Sequence, residues 1–292
     1  MENTLFTFGH GYTAAALTRR LVARGWTVYG TTRSPDRADQ IARSGAIPVV
    51  LGGTDAEPWV EGLAQADHLL ISAGPDDTGD PVLRTAGARI ATLAPRLRWA
   101  GYLSTTGVYG DKGGDWVDET TPLDPATKRG QARVRAESDW QALAARSGLP
   151  LHIFRLAGIY GPGRGPFAKL RKGTARRIIK PGQVFSRIHV EDIATVLDAS
   201  IARPRPGSAY NVCDNDPAPP QDVIAYAAKL LGLPLPPEVD FETADLSPMA
   251  RSFYAESKRV SNRLIAEELG VTLAYPDYRS GLAALLREAP DD

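Results

Sequence analysis

The 292-residue chain holds a single cysteine, Cys213. One thiol excludes an internal disulfide framework and any cysteine-based zinc site. Its plain role is that of a small buried apolar residue. Histidine is scarce as well: His10, His68, His152 and His189 are scattered and form no H-E-x-x-H or comparable ligand spacing, so no metal is expected. No run approaches the roughly 18 apolar residues needed to span a bilayer. Met1-Glu2-Asn3-Thr4 also lacks the basic flank and apolar run of a signal peptide. The expectation is a cytoplasmic protein with no membrane partner. An excess of either charge is missing too, with 34 Lys+Arg against 34 Asp+Glu. That balance excludes a broadly basic nucleic-acid binder and an acidic tail.

What is present is an ordinary globular composition, 43% apolar, in a chain long enough for about two domains or one large α/β unit with an appendage. Short apolar runs predict strands over 5–8, 26–31, 48–51, 68–72, 102–105 and 151–156. Longer amphipathic stretches between them predict helices, notably over 12–24, ending at Gly25, and over 128–147, ending at Gly148. Near-continuous apolar strands separated by helices imply a parallel sheet covered on both faces. After residue 157 the pattern changes. Gly158-Ile-Tyr-Gly-Pro-Gly-Arg-Gly-Pro166 requires a loop. A helix over 190–202, a strand over 209–212, a Pro-rich region around a helix over 221–231, and helices over 257–269 and 278–288 follow. The expected fold is α/β, a Rossmann-type doubly wound parallel sheet with a smaller C-terminal substrate cap. The sheet domain is placed at 1–158 plus 187–212 and the cap at 159–186 plus 213–292.

Gly9-His10-Gly11-Tyr12-Thr13-Ala14 is a G-x-G-x-x-A sequence between the first strand and first helix. Gly9 permits the tight turn, Gly11 lets a pyrophosphate approach the backbone, and Ala14 allows close helix–strand packing. Exposed N–H groups at the helix start then favour an anion. About 20 residues on, an NAD-binder usually carries Asp or Glu for the ribose hydroxyls. This chain reads Gly30-Thr31-Thr32-Arg33-Ser34, with Arg37 nearby. Arg33 could grip a 2′-phosphate as a charge-assisted fork; a solvated loop charge is the plain alternative for Arg33 and Arg37. NADP is therefore expected in preference to NAD. The expected cofactor contacts are Gly9, Gly11, Tyr12, Thr13, Arg33, Ser34, Arg37, Ala73 and Arg133.

Together with Ser104-Thr-Thr-Gly-Val-Tyr-Gly110, Gly161-Pro-Gly163, Arg187-Ile-His-Val-Glu-Asp192 and Tyr210-Asn-Val212, these features resemble the extended short-chain dehydrogenase/reductase superfamily, of the NAD-dependent epimerase/dehydratase type. The likeness runs over nearly the whole chain. Ser257-Lys-Arg-Val-Ser-Asn262, with Leu269-Gly270 and Tyr275-Pro276, looks like an atypical branch. Members of that family normally use a Tyr-x-x-x-Lys pair in the long helix after the fifth strand, the tyrosine moving the substrate proton and the lysine holding the nicotinamide ribose. Aligning Glu137 with the family's downstream glutamate puts Arg129 at the tyrosine position and Arg133 at the lysine position. Arginine is not deprotonated at working pH, so Arg129 cannot serve as a general acid or base. Thr105 matches the Ser/Thr that hydrogen-bonds the reacting oxygen. Tyr109 is a candidate proton source, with packing at the strand end as its plain role. Lys128 could shift its pKa if buried, with a surface position as the plain reading. Arg129 and Arg133 could bind a ligand carboxylate or phosphate by bidentate pairing.

Between Leu156 and Val190 there is no Asp or Glu, while Arg164, Lys169, Arg171, Lys172, Arg176, Arg177, Lys180 and Arg187 make eight positive charges. The resemblance places this segment beside the substrate cleft, where its field would favour a phosphate or carboxylate. The alternatives are a solvated face and internal pairing with the acidic residues of the cap. No aromatic interleaving or reader motif supports nucleic acid. The expected substrate is small and anionic, with Arg129, Arg164 and Arg187 as its contacts; a homodimer is left open. Two functions remain: an NAD(P)-dependent oxidoreductase or epimerase/dehydratase-like enzyme, or a non-catalytic NADP-binding sensor or scaffold that kept the pocket and lost the tyrosine.

Overall fold

A computed structural model describes residues 3–52 and 58–288. Five strands of the sheet, β1 (Thr4–Phe8), β2 (Thr27–Thr32), β3 (Ile47–Val50), β4 (His68–Ile71) and β5 (Trp99–Thr105), come from the first part of the chain. Leu151–Leu156 and Ala209–Val212 add two more. Their spatial order is Ala209–Val212, Leu151–Leu156, β5, β4, β1, β2, β3, and every pairing is parallel. The order reverses beside β1, so the crevice beyond the carboxyl ends of β1 and β4 is the place where such sheets bind ligands.

Helices cover both faces, which is why β1 and β4 are buried along their whole length. On one side α1 (Tyr12–Val22) and helix Val190–Ala202 bury Ala14, Leu17, Leu21, Ile193 and Leu197. On the other, α4 (Pro81–Leu93) and α5 (Lys128–Ser147) bury Val82, Ala86, Ile90, Ala136, Trp140 and Leu143. The shorter α2 (Ala38–Arg43) and α3 (Pro58–Gln65) flank β3. Local chemistry sets the ends of the long helices. Asp80 accepts from the Val82 and Leu83 amides at the start of α4, with Pro81 in the first turn. Its second oxygen accepts from Trp140 Nε1 of α5 at 3.0 Å, joining the two helices. Thr127 caps α5, which stops at left-handed Gly148.

A third apolar cluster, including Tyr160, Phe167, Leu170, Ala227, Tyr278 and Leu282, lies in the later part of the chain. Short parallel pairs tie that part together: Gly158–Tyr160 with Arg187–His189, Arg177–Ile179 with Glu238–Asp240, and Trp116–Val117 with Arg259–Val260. The last pair corrects the expected helix over 257–269, which begins only at Arg263. The Arg259 amide donates to Asp115 O and the Ser261 amide to Val117 O, so this backbone is committed to strand pairing. Val260, Ile265, Leu269 and Val271 join the sheet-side core instead of the third cluster. No helix among the described residues is long and apolar enough to cross a membrane.

Candidate functional site

The turn after β1 has the geometry of an anion cradle. Gly9 has φ +82°, and a Cβ on it would stand 2.8 Å from the Ala73 amide nitrogen at the end of β4. Only glycine combines that backbone conformation with that approach. A Cβ on Gly11, by contrast, would meet nothing within 4 Å, so open space stands over the start of α1. Gly11 caps that helix without a side-chain hydrogen bond, and the first turn has no acidic residue. Its leading amides and the positive end of its dipole are left for an external anion. These residues fit a dinucleotide pyrophosphate.

His10, between the two glycines, holds the turn in place. Its ring lies 3.0 Å from both Thr7 Oγ1 and Ser44 Oγ, and its amide donates to Thr31 O. Burial lowers its pKa to about 4, with Arg37 adding to the shift. Gly30 makes room for it, since a Cβ there would stand 2.7 Å from His10 Nδ1. Thr13 is buried in α1. Tyr12 reaches the segment after Gly158–Tyr160, where its hydroxyl donates to Pro162 O at 3.0 Å and Arg164 stands 5.8 Å from its ring centroid. At the end of β2, Ser34 is bound through its amide to Thr32 Oγ1, and Arg33 and Arg37 are exposed.

At the end of β5, Thr105 Oγ1 accepts from the Gly107 amide, starting the turn Thr106–Tyr109. Arg133 of α5 reaches under this edge. Its Nη1 donates to Leu103 O at 2.7 Å and Tyr102 Oη at 3.1 Å, and Nη2 stands 3.0 Å from where a Cβ on Gly74 would be. The guanidinium therefore spans the ends of β4 and β5, beside Ala73. Arg129 and Lys128 are exposed on the first turn of α5.

Tyr109 requires a correction as a proton source. It is fully buried, donating to Asn211 Oδ1 at 2.7 Å and accepting from Arg155 Nη1 at 2.9 Å. Burial pushes its phenol up to about 12. It belongs to a buried network that sequence reasoning missed. Arg155 Nη2 pairs with Glu137 Oε2 at 2.9 Å, and Glu137 also accepts from the Ser104 hydroxyl. Glu137 alone had a visible signal, its spacing from Arg129 and Arg133. Arg155 sits in an apolar strand run and shows no such sign. Tyr102 and Asp80 were equally unmarked, because their partners come from other elements.

The eight positive charges of 156–190 divide. Arg164, Lys169, Arg171, Lys172 and Arg176 are exposed, while Arg177, Lys180 and Arg187 are half-buried. Arg187 Nη1 donates to Phe185 O at 2.8 Å and Ala218 O at 3.1 Å. Burial lowers its pKa, opposed by Asp214. The structure thus brings Gly9 against Ala73 and Arg133 against Gly74, with open space over Gly11, while Thr13 is buried in α1. Tyr12 and Arg164 meet each other beside Pro162, and Tyr109 is fully buried. No group of three or more His, Cys, Asp or Glu suited to a metal occurs among the described residues.

Comparison with known proteins agrees with this geometry. The chain matches the NAD dependent epimerase/dehydratase family over residues 6–213. Protein YeeZ of Escherichia coli (strain K12) is 32% identical, across 92% of this chain and 95% of its own. The 3-diazoavenalumate denitrifying reductase of Streptomyces sp is 27% identical, across 90% and 93%. The solved structure of a functionally unknown conserved protein from Silicibacter pomeroyi DSS is 62% identical, covers 98% of this chain and 99% of its own, and superposes with a TM-score of 0.93. By its sequence match, its parallel sheet and its glycine cradle, this chain belongs to the NAD dependent epimerase/dehydratase family.

Proposed function

We propose that this chain is an NADP-preferring oxidoreductase or epimerase/dehydratase-like enzyme acting on a small anionic substrate. The observation that carries the reading is the cradle itself. Gly9 lies against Ala73 and open space stands over Gly11, at the crevice where the strand order reverses. Gly9, Gly11, Tyr12 and Thr13 would hold the pyrophosphate. Arg133, anchored on Leu103 O and Tyr102 Oη, would face the nicotinamide ribose. Arg33, exposed at the end of β2 where no carboxylate stands, would grip a 2′-phosphate, with Ser34 and Arg37 beside it.

When bound, the nicotinamide supplies or takes a hydride. The chain's own residues position and polarise. Thr105 Oγ1 accepts from the Gly107 amide, which leaves its own proton for a substrate oxygen. Arg129, at the first turn of α5, offers a fixed positive charge to a substrate carboxylate or phosphate, and it holds its proton throughout. The test is a titration with NADP+ and NAD+. Tighter binding of NADP+, with the preference abolished in Arg33→Ala, supports the reading. Equal or tighter binding of NAD+ overturns the NADP preference. A second reading, a nucleotide sensor, is favoured by the arginine at position 129 in place of a proton-moving tyrosine. NADPH binding with no oxidation across a broad panel of anionic carbonyl compounds would select it.

A further inference from the structure

Resting on that reading, we propose that Lys180, Arg187 and Arg251, with the rings of Phe185, Phe241 and Tyr254, form the substrate site of the cap. Its ligand would be an aromatic carboxylate. The rings make a continuous ladder. Phe185 meets Tyr254 edge-on at 5.5 Å between centroids, and Tyr254 stacks on Phe241 at 5.2 Å. Cations flank both ends. Lys180 Nζ and Arg251 Cζ stand 5.0 and 4.9 Å from the same Phe241 centroid, and Arg187 Cζ stands 6.0 Å from that of Phe185. Phe185, Phe241 and Tyr254 are all half-buried residues, and Arg251 is exposed.

No ion pair among the described residues engages the cations of this cluster, although Asp214 and Asp216 act on Arg187 from a distance. Lys180 donates to Tyr254 O, Arg251 to Ala244 O at 3.0 Å, and Arg187 to Phe185 O and Ala218 O. Among the described residues no carboxylate oxygen lies within 4.0 Å of any of the three. Other charges of this region do find partners: Arg177 pairs with Glu238, Lys258 with Glu256, and Arg279 with Asp216. The acids that face the cluster are engaged elsewhere. Asp111 accepts from the Ser257 and Gly113 amides. Asp214 is buried, which pushes its carboxyl up to about 8. An external anion would meet a net positive field on an apolar floor, the setting in which charge-assisted hydrogen bonds are strongest.

The cluster is also tied to the chain that leaves the end of β5. The Lys112 and Gly114 amides both donate to Ser257 O, and the Ser257 amide donates to Asp111. The segment carrying Tyr254 is thereby fastened to the loop that follows the turn Thr106–Tyr109. Among the six residues only the Tyr254 hydroxyl can accept from a sugar hydroxyl as well as donate to it. Rings and cations suit a planar arene with a carboxylate far better than a polyhydroxylated sugar.

Calorimetric titration of the NADP+-saturated protein tests this with four probes: cinnamate, its neutral amide, 3-cyclohexylpropanoate and UDP-glucose. Cinnamate is expected to bind, with the amide and the cyclohexyl acid each about tenfold weaker. Arg251→Gln and Lys180→Gln should each weaken cinnamate about tenfold, as loss of one charged hydrogen bond predicts. Phe241→Leu, which retains apolar bulk, should erase the advantage of the arene over the cyclohexyl ring. UDP-glucose binding without cinnamate binding, or cinnamate affinity unchanged in both charge variants, overturns the proposal. NADP+ affinity is measured separately in every protein. Its retention while cinnamate fails condemns the substrate site alone, and its absence from the wild type condemns the cofactor reading.

Discussion

Residue identity decides what chemistry the crevice can perform. Aligning Glu137 with the family's downstream glutamate sets Arg129 and Arg133 where the resemblance implies a Tyr-x-x-x-Lys pair, and the surroundings of the two arginines differ. Arg133 turns under the sheet edge and is tied to Leu103 O and Tyr102 Oη, whereas Arg129 is exposed. A side chain without a structural task costs the fold little when removed. Arg129→Ala is therefore expected to leave the thermal midpoint within about 2 °C of wild type while weakening an anionic substrate about tenfold. Unchanged affinity and turnover in that variant would remove Arg129 from the site. Both arginine positions were legible from their spacing to Glu137. Which of the two is anchored was not, because Tyr102 and the Leu103 carbonyl belong to a strand distant in sequence.

At the level of elements, the approach of α5 to the turn Thr106–Tyr109 rests on one missing methyl group. A Cβ on Gly130 would stand 2.7 Å from Pro125 Cβ and 2.9 Å from Gly107 O. Alanine gains about 1 kcal/mol over glycine inside a helix, but overpacking here costs roughly 1–3 kcal/mol, and the rigid Gly107 carbonyl cannot yield cheaply. Gly130→Ala should therefore lower the denaturation midpoint in urea despite its better helix propensity. It should also weaken cofactor binding, because Thr105 and Arg133 lie on the two elements forced apart. A higher urea midpoint would show that the helix can slide. The element boundaries themselves were largely readable. The span 128–147 carries its own cap and its own stop at Gly148. The stretch 257–262 was misread because strand pairing with Trp116–Val117 is a long-range event that local pattern does not encode.

At the scale of the whole molecule, neutral buried groups set the pH range of stability. Burial lowers His10, His152 and His189 each to about 4. His152 accepts from the Arg205 amide and His189 from the Glu191 amide, as only neutral rings can. The unfolded chain, with histidines near 6.5, then binds more protons than the folded one between pH 6.5 and 4. The stability they confer is complete above 6.5 and lost as pH falls toward 4. Asp214 acts in the opposite sense. Raised from 3.8 to about 8, it makes the folded state hold an extra proton, so its penalty grows as pH rises and is full above about 8. A thermal midpoint highest near pH 6.5 is expected, with Asp214→Asn flattening the alkaline limb. A wild-type midpoint that climbs steadily from pH 6.5 to 9 would contradict it.

The sequence by itself determined the parallel sheet, the glycine turn and the neutral total charge, because helix and strand periods and a G-x-G-x-x-A turn are local properties of the chain. Tertiary structure alone decided which charges matter. Five cations of 156–190 turn outward, whereas Lys180 and Arg187 turn inward against rings supplied by residues 185, 241 and 254. Pairing between charges depends on distance through space, and folding sets that distance between segments far apart in the chain.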